Sequence, residues 1–473
     1  MGQTGCGPAR SGPRRRVEQA GAIQGIRRQG QRSIAVSHAR YDACEALVLV
    51  GLGKKNEVTL ETIRQAMGSA AKRVRRAKVG SYTVVLPTVP PGGMSWVEVA
   101  QAMVEGAILG SYQFTVYRTA ATSEQDVAGM RILIPKKGQL RQVTEGIRRG
   151  VATAEATVFV RDLCNHPSNI LTPTRVANEA KTLAKTEGIT IKILEQKEME
   201  RLGMGALLGV SRGSQEPPKF IILEYNGSKK KDVRPVVLVG KTITFDTGGI
   251  SLKTAENMER MKADMTGGAE VLASIRAAAR LKLPLRLISI LPVAENMPGG
   301  RAMKPGDIVK TLSGKTVEVQ NTDAEGRLIL ADGLAYAMRY KPAALIDIAT
   351  LTGACVVALG QFAIGMFGTD STLKEQVRKS GQKAGERVWE MPLWEEYFEQ
   401  LKSDVADMRN IGGRGGGMIT AALFLSKFVG DCPWVHLDIA STDWSEKERA
   451  YIPKGPTAIG TRLLVQYLID RSL

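Results

Sequence analysis

The chain has 473 residues and a formal net charge of +18, and 43% of its residues are hydrophobic. This length exceeds what one hydrophobic core usually supports, so we expect two or three domains, and the apolar fraction excludes disorder throughout. Five scattered cysteines without a Cys-x-x-Cys spacing exclude a disulfide framework and a zinc–thiolate site, and they favour a reducing compartment. Because the three histidines are scattered too, a metal site would have to rely on oxygen ligands.

Residues 1–33 predict a basic, disordered tail. The first 40 residues contain eight arginines and a single acid, Glu18, and they lack the apolar stretch of a secretory signal. A transit peptide and a gene-start artefact are both open explanations for this tail. The positive charge of the rest of the chain leaves nucleic-acid binding open as a function.

From residue 46 onwards the pattern is that of an α/β protein. Residues 46–53 and 82–87 are short apolar runs typical of strands, and residues 59–77 between them have helical spacing, which indicates a βαβ unit. We therefore expect a small N-terminal α/β domain over residues 34–136. Residues 137–164 predict a long amphipathic helix that connects this domain to the next one.

Strand and helix patterns alternate again after residue 175. Apolar runs predict strands at 219–225, 235–240, 285–293 and 343–351, and helical spacing predicts a helix at 267–281. We therefore assign residues 165–473 to a larger C-terminal α/β domain, in which helices flank a mixed central sheet.

The longest uncharged run, residues 348–369, is long enough to suggest a membrane span. Four glycines and Gln361 interrupt it, however, and Asp347 comes directly before it. We predict a buried strand followed by a loop, no contact with a membrane, and a cytoplasmic protein.

Seven charged side chains lie next to predicted strands and helices of the C-terminal domain. They are Lys241, Asp246, Lys253, Asp264, Asp323, Glu325 and Arg327. Taken singly, each has an ordinary structural explanation as a helix cap, a surface charge or part of a salt bridge. Taken together, they suggest a site, because ligands of α/β sheets bind beyond the carboxyl ends of the strands.

Carboxylates that converge in a buried cleft repel one another unless cations neutralise them. Asp323 and Glu325 are two residues apart, a spacing that places both on one face of an extended segment. Mg, Mn or an oxygen-rich Zn site fits such ligands, and two metals would activate a water and polarise a carbonyl or phosphoryl group. These residues predict a two-metal hydrolase and leave peptides and phosphate esters open as substrates.

Four segments, in this order along the chain, resemble the leucyl aminopeptidase family, the M17 cytosol aminopeptidases: "VGKTITFDTGGISLK", "MKADMTGGA", "ENMPGGRAMKPGD" and "NTDAEGRL". The resemblance covers roughly residues 160–473, and "LVGLGKK" extends it to about residue 45. It implies a metallo-exopeptidase that releases N-terminal amino acids, with leucine and similar residues preferred. It also implies two divalent metal ions per subunit, Mn or Zn.

Residue by residue, the resemblance implies five metal ligands: Lys241, Asp246, Asp264, Asp323 and Glu325. Asp246 and Glu325 would bridge both ions, and Lys241 would bind as a neutral amine whose pKa the cations lower. Lys253 and Arg327 match the two catalytic positions that bind no metal. Lys253 would stabilise the oxyanion, and Arg327 would hold a bicarbonate ion that shuttles the proton.

Further positions match residues that contact the substrate in the family. Asp264 and Asn321 would orient the substrate's amine and carbonyl groups. Four residues match the lining of the side-chain pocket: Met261, Thr350, Leu351 and Gly353. Ordinary core packing is an equally good explanation for Met261.

The chain departs from the family pattern at several places. Pro456 and Ala458 stand where the family more often has alanine and glycine, and Glu270 stands where small residues are common. Family members usually have further strands before the segment that matches residues 46–53, so we expect the N-terminal domain to be truncated.

The resemblance implies peptide substrates and self-association into a homohexamer. As an alternative function, the basic surface would suit a DNA-binding accessory or transcription-regulatory protein, with or without peptidase activity. A catalytically inactive scaffold is a third hypothesis, and the presence of all seven charged residues argues against it.

Overall fold

The computed structural model describes residues 34–37, 47–120, 127–230 and 232–473. The tail predicted at residues 1–33 lies outside the described residues. Within them, no helix combines the length and the apolar character needed to cross a membrane.

The described residues form twelve α-helices of 7 to 26 residues. In chain order they are α1 (Leu60–Arg76), α2 (Trp96–Ser111), α3 (Leu140–Asn165), α4 (Pro173–Glu187), α5 (Gln196–Leu202), α6 (Gly205–Ser211), α7 (Thr266–Arg280), α8 (Gly326–Ala337), α9 (Gly353–Leu359), α10 (Ser371–Ala384), α11 (Gly417–Ser426) and α12 (Thr461–Arg471).

The strands are mostly short. They are β1 (Ile34–Ser37), β2 (Leu47–Val50), β3 (Ser81–Val85), β4 (Gly129–Leu133), β5 (Thr190–Leu194), β6 (Lys219–Asn226), β7 (Val236–Gly240), β8 (Thr242–Asp246), β9 (Arg286–Asn296), β10 (Ile308–Lys310), β11 (Thr316–Glu318), β12 (Ala344–Ala349), β13 (Ile364–Gly368), β14 (Val388–Glu390), β15 (Met408–Arg409), β16 (Trp434–Asp438), β17 (Trp444–Ser445) and β18 (Gly455–Pro456).

The N-terminal region packs three helices against short strands. Helix α1 begins after Thr59, whose side chain accepts a hydrogen bond from the backbone N–H of Thr62 and so caps the helix. Helices α1, α2 and α3 pack in series, and Ile63, Met103 and Val143 contribute to their shared core. The apolar stripe of each helix therefore has a partner.

The βαβ unit predicted over residues 46–87 is wrong. Strand β2 pairs with β1 in antiparallel orientation, whereas β3 pairs with β4 in parallel across helix α2. The elements were predicted at the correct positions, but strand pairing depends on segments distant in sequence. In the N-terminal region, the parallel βαβ unit is β3–α2–β4.

Helix α3 lies where the sequence predicts a long connecting helix. It contacts α2 on one side and α7 and α12 on the other. The fully buried guanidinium of Arg161 donates hydrogen bonds to the carbonyl oxygens of Thr457 at 3.0 Å and Tyr451 at 3.2 Å. These bonds fix the C-terminal loops against the helix.

The central sheet has nine strands, and it is mixed and flanked by helices, as predicted. Its order is β14-β13-β16-β12-β7-β9-β6-β5, with β8 added beside β9. The inner strands β16, β12, β7 and β9 are parallel, while β13, β6 and β5 join in antiparallel pairs. Helices α3, α4, α7 and α12 cover one face of the sheet, and α6, α8 and α11 cover the other.

The uncharged run at residues 348–369 is divided between three elements. It contains the end of β12, the short helix α9 and strand β13. The expected strand is present, but a helix and a second strand follow it where a loop was predicted. The side chain of Thr352 caps α9 by accepting a hydrogen bond from the N–H of Cys355 at 3.1 Å.

Candidate active site

The predicted site lies at the carboxyl end of the parallel strands. Asp246 is the last residue of β8, and Lys241 lies at the junction of β7 and β8. Asp264 precedes α7, while Asp323 and Glu325 lie in the loop before α8. The structure brings all five predicted metal ligands together, although they span 85 positions of sequence (325 − 241 + 1).

Lys241 lies at the centre of one half of the site. Its Nζ is 2.8 Å from Asp264 Oδ1 and 2.9 Å from Glu325 Oε1, and it donates a hydrogen bond to the Thr350 carbonyl oxygen at 2.8 Å. A β-carbon added at Gly326 would lie 2.6 Å from Cε of Lys241. The glycine after Glu325 therefore makes room for the lysine to reach both carboxylates.

Lys253 links the carboxylates of the other half. Its Nζ is 2.8 Å from Asp246 Oδ2 and also forms an ion pair with Asp323 Oδ1. The lysine and Asp323 are half-buried, whereas Asp246 is buried. Each lysine ammonium thus balances two carboxylates, which is the role that metal cations would take.

The donor set fits divalent cations. Carboxylate oxygens of Asp246, Asp323 and Glu325 all lie within 4.8 Å of one another. Among the described residues, Asp264 Oδ2 and Glu325 Oε2 are buried oxygens that accept no hydrogen bond. Buried oxygens without donors are costly unless a cation binds them. The site could therefore hold hard cations with oxygen ligands.

Burial and mutual repulsion raise the pKa values of the carboxyl groups in the absence of metal. Burial raises the pKa of Glu325, and the carboxylate of Asp246 adds to the increase. Burial also raises the pKa of Asp264. Burial alone would lower the pKa of the Lys241 amine, but the carboxylates of Asp264 and Glu325 outweigh it and raise that pKa. The neutral amine predicted for Lys241 therefore requires bound cations.

Arg327 presents donors that the described part of the chain leaves partly unused. It is buried in the first turn of α8, and its NH1 group donates to the carbonyl oxygen of Asn410 at 2.7 Å. Its Nε has no hydrogen-bond partner among the described residues, and burial lowers the pKa of the guanidinium to about 10. A buried cation with a free donor is suited to bind a small anion.

The residues predicted to contact substrate lie around this centre. Thr350 is buried, and its hydroxyl donates to Asp264 Oδ1 at 2.6 Å. Met261 and Leu351 are half-buried, and Gly353 is exposed with open space where a β-carbon would point. The side-chain oxygen of Asn321 accepts a hydrogen bond from the N–H of Asp323 at 2.8 Å, which fixes the turn between them.

Three supporting residues escaped the sequence analysis. Asn296 donates to Asp246 Oδ1 at 2.8 Å, and Asp438 accepts bonds from the N–H of Leu351 and the hydroxyl of Thr352. Both end apolar strands, a signal that could have identified them. Asn410, the third, lies after the two-residue strand β15, and no sequence pattern marks it.

Two departures from the family pattern have visible structural consequences. Ala458 is buried and has a φ of +59°, a left-handed conformation that costs a residue with a β-carbon about 1 kcal/mol. Glycine, which the family more often has there, adopts it freely. Pro456 belongs to β18 and pairs with Trp444 of β17.

Glu270 is fully buried beside a second buried acid. Its Oε1 is 3.4 Å from the hydroxyl of Thr461, and its Oε2 has no hydrogen-bond partner among the described residues. Burial raises its pKa first, and the negative charges of Glu386 and Asp443 raise it further. Such a carboxyl stabilises the folded state when protonated, and this contribution is lost as the pH rises through the folded-state pKa.

We therefore expect Glu270→Gln to stabilise the protein at neutral pH, raising its melting temperature by about 2 °C or more. The neutral amide keeps the shape of the side chain and removes the cost of either protonating this buried carboxyl or burying its charge beside Glu386. Thermal melting of both proteins across the acidic and neutral range measures this effect. The gain should vanish in acid, and a gain independent of pH, or one shared by the exposed control Glu57→Gln, would contradict the explanation.

The fold and the site together define an α/β protein with a buried, carboxylate-rich centre suited to cations. Comparison with protein families identifies the "Cytosol aminopeptidase family, catalytic domain" over residues 158–465 and the family's N-terminal domain over residues 15–121. The chain belongs to the cytosol aminopeptidase family, as its motifs predict. The N-terminal match begins within the segment predicted to be a tail.

Curated relatives carry the same family name. A "Probable cytosol aminopeptidase" of Geotalea uraniireducens (strain Rf4) is 49% identical over 90% of this chain and 85% of the relative. Another of Roseiflexus castenholzii (strain DSM 13941 / HLO8) is 47% identical over 90% of this chain and 87% of the relative. These relatives and the family support an aminopeptidase, and thus a peptidase hydrolase.

Solved structures with the same fold include the "Bottromycin maturation enzyme BotP". It has a TM-score of 0.86 and 37% identity, and the match covers 98% of this chain and 97% of that one. A second structure of that enzyme, in complex with Mn, has a TM-score of 0.86 and 36% identity.

Proposed function

We propose that the chain is a metal-dependent aminopeptidase that releases N-terminal amino acids from peptides and prefers leucine and similar residues. One observation carries the proposal. Four carboxylates converge on two lysines at the carboxyl edge of the sheet, and two of their buried oxygens accept no hydrogen bond among the described residues. Membership of the cytosol aminopeptidase family selects peptides over phosphate esters as the substrates of such a site.

Two divalent cations, Mn or Zn, would be held by five residues: Lys241, Asp246, Asp264, Asp323 and Glu325. Of these, Asp246 and Glu325 would be ligands to both cations. When bound, the two cations would activate the attacking water and polarise the scissile carbonyl. The Mn complex of the structural neighbour supports manganese as one suitable ion. Asn296 would keep Asp246 oriented through its 2.8 Å hydrogen bond.

Lys253 and Arg327 would act on the reacting groups directly. The ammonium of Lys253 would stabilise the negative charge that develops on the carbonyl oxygen, because a fixed positive charge in a partly desolvated site needs little reorganisation. Arg327 would hold a bicarbonate ion through its free donor, and that ion would accept the proton of the attacking water.

Substrate selection would depend on the peptide's free amine and its first side chain. Asp264 and Asn321 would orient the amine and the carbonyl group, and the half-buried Met261 and Leu351 would contact an aliphatic side chain. The open space beside Gly353 supports a pocket at this place. Thr350 would hold Asp264 through its 2.6 Å hydrogen bond.

Removal of metal tests the proposal. We expect protein treated with a chelator to lose hydrolysis of leucine p-nitroanilide, and Mn or Zn to restore it. A free N-terminus should be required, so the N-acetylated substrate should stay intact with every metal. The rate of p-nitroaniline release measures both effects. Hydrolysis that persists without metal, or no hydrolysis with any metal despite a folded protein, would refute the proposal.

We propose a homohexamer and a cytoplasmic protein, and light scattering of the purified chain would establish the oligomeric state. DNA binding stays an alternative function. If it depends on the folded protein, salt-sensitive retention on DNA should persist after residues 1–33 are removed.

A further inference from the structure

Asn410 contacts the loop that carries two of the predicted site residues. The residue is fully buried and directly follows β15. Its Oδ1 accepts hydrogen bonds from the N–H groups of Gln320 at 2.8 Å and Asn321 at 3.3 Å. Its Nδ2 donates to the carbonyl oxygens of Asn321 at 2.6 Å and Ala324 at 3.4 Å. One amide therefore binds the backbone on both sides of Asp323.

The backbone of Asn410 contacts two further elements. Its N–H donates to the carbonyl oxygen of Glu318 at 3.0 Å, which extends the parallel pairing of β11 with β15. Its carbonyl oxygen accepts the 2.7 Å bond from the guanidinium of Arg327. The same residue thus holds the loop before α8 and a side chain in the first turn of α8.

Thr322, in the same loop, forms hydrogen bonds to other segments. Thr322 donates from its hydroxyl to the Gly248 carbonyl oxygen at 2.6 Å and from its N–H to Ser251 Oγ at 3.1 Å, and its carbonyl oxygen accepts a bond from Asn296 at 3.0 Å. The hydrogen bonds of Thr322 and Asn410 together therefore fix the backbone of this loop. The half-buried carboxylate of Asp323 projects from the segment that they fix.

We propose that Asn410 is a positioning residue, which fixes Asp323 for cation binding and sets the guanidinium of Arg327 at the same time. The inference rests on the proposed metal-dependent function. An amide side chain supplies both an oxygen that accepts hydrogen bonds and an NH2 group that donates two, and this loop uses both groups. A carboxylate of the same shape would face the carbonyl oxygens of Asn321 and Ala324 without a proton to donate. Supporting residues of this kind typically change metal affinity by about 10- to 100-fold.

The test uses the full-length protein with Asn410→Asp, which keeps the shape of the side chain, and Asn410→Ser, which keeps a donor and an acceptor in a smaller group. Asn226→Asp is the matched control, because Asn226 is an exposed asparagine whose Oδ1 also accepts a backbone N–H bond. Titration with Mn, followed by the paramagnetic resonance of free Mn, measures affinity. Steady-state kinetics at saturating Mn and melting in chelator complete the comparison.

We expect both Asn410 variants to bind Mn about 10- to 100-fold more weakly at one site. At saturating Mn we expect kcat to fall while the KM for leucine p-nitroanilide changes little. Without the side-chain bonds the backbone of residue 410 shifts, and its carbonyl oxygen no longer holds the Arg327 guanidinium in place. The control should match the wild type. Wild-type Mn affinity and kcat in a folded variant would overturn the inference, as would a lower melting temperature with neither quantity changed. If wild-type protein itself neither binds Mn nor hydrolyses the substrate, the proposed function fails instead.

Discussion

Glu325→Gln is expected to lower kcat/KM for leucine p-nitroanilide by at least about 10³-fold, because in the proposed mechanism several kcal/mol of transition-state stabilisation would depend on bound metal. Glu325 is buried, and its Oε2 accepts no hydrogen bond among the described residues. An amide offers one neutral oxygen where the carboxylate offers two charged ones. The bridging position proposed for this residue would therefore lose most of its attraction for cations.

The thermal stability of Glu325→Gln should distinguish a loss of activity through weaker metal binding from a loss through misfolding. Burial and the Asp246 carboxylate raise the pKa of Glu325, so ionisation of this carboxyl opposes folding of the metal-free protein. Lys241 keeps its contacts with Asp264 and the Thr350 carbonyl oxygen in the variant. We expect the melting temperature in chelator to stay the same or rise, whereas added Mn should stabilise only the wild type.

Kinetic assays, Mn titration and thermal melting check these expectations, with Glu57→Gln as the control. Glu57 lies in an exposed ion pair with Lys54, remote in sequence from the site. Substantial activity in Glu325→Gln at saturating metal would exclude Glu325 as a required ligand. A much lower melting temperature of the variant in chelator would instead indicate that Glu325 has a structural role.

Local sequence patterns marked the candidate site residues that lie next to regular elements. Asp246 ends an apolar strand and Asp264 precedes a helix, so a local pattern marked both before their spatial proximity was known. The family motif then suggested roles that physical reasoning left open, and it favoured peptides over phosphate esters as substrates. The mixed sheet followed from alternating strand and helix patterns, which report burial in segments a few residues long.

Other features depend on contacts between distant segments. Asn410 binds a loop almost ninety positions earlier, and it sits outside any periodic element that could reveal its direction. The β2–α1–β3 prediction failed for the same reason, since β3 selects β4 across an intervening helix. Helix α9 was missed because its capping Thr352 lies inside an uncharged run whose composition alone indicated a strand and a loop.

The two lysines share one electrostatic role in the metal-free protein but have different predicted roles with metal. Both are surrounded by carboxylates that raise their pKa values against the effect of burial. Lys241 is buried and contacts three oxygen atoms, whereas Lys253 is half-buried and contacts two carboxylates. The greater exposure of Lys253 leaves its ammonium within reach of a substrate that enters from solvent.

Lys253→Met is therefore expected to lower kcat by about 10²- to 10³-fold, the usual cost of removing one donor from a developing oxyanion. The KM should change little, because the interaction forms mainly in the transition state. Lys253→Arg, which keeps the charge, should recover part of the rate. Lys54→Met on the exposed Lys54–Glu57 pair serves as the control.

Mn affinity gives this prediction its sharpest test. In the metal-free protein the Lys253 ammonium forms ion pairs with Asp246 and Asp323, so it competes with cations for the same carboxylates. Removing it should leave Mn affinity unchanged or increase it, while the metal-free protein becomes less stable because two neighbouring carboxylates lose their counter-ion. Weaker Mn binding in Lys253→Met would indicate that Lys253 binds the metal or positions one of the metal ligands. Tighter Mn binding combined with a lower kcat would indicate that the Lys253 ammonium acts in the reaction and not in metal binding.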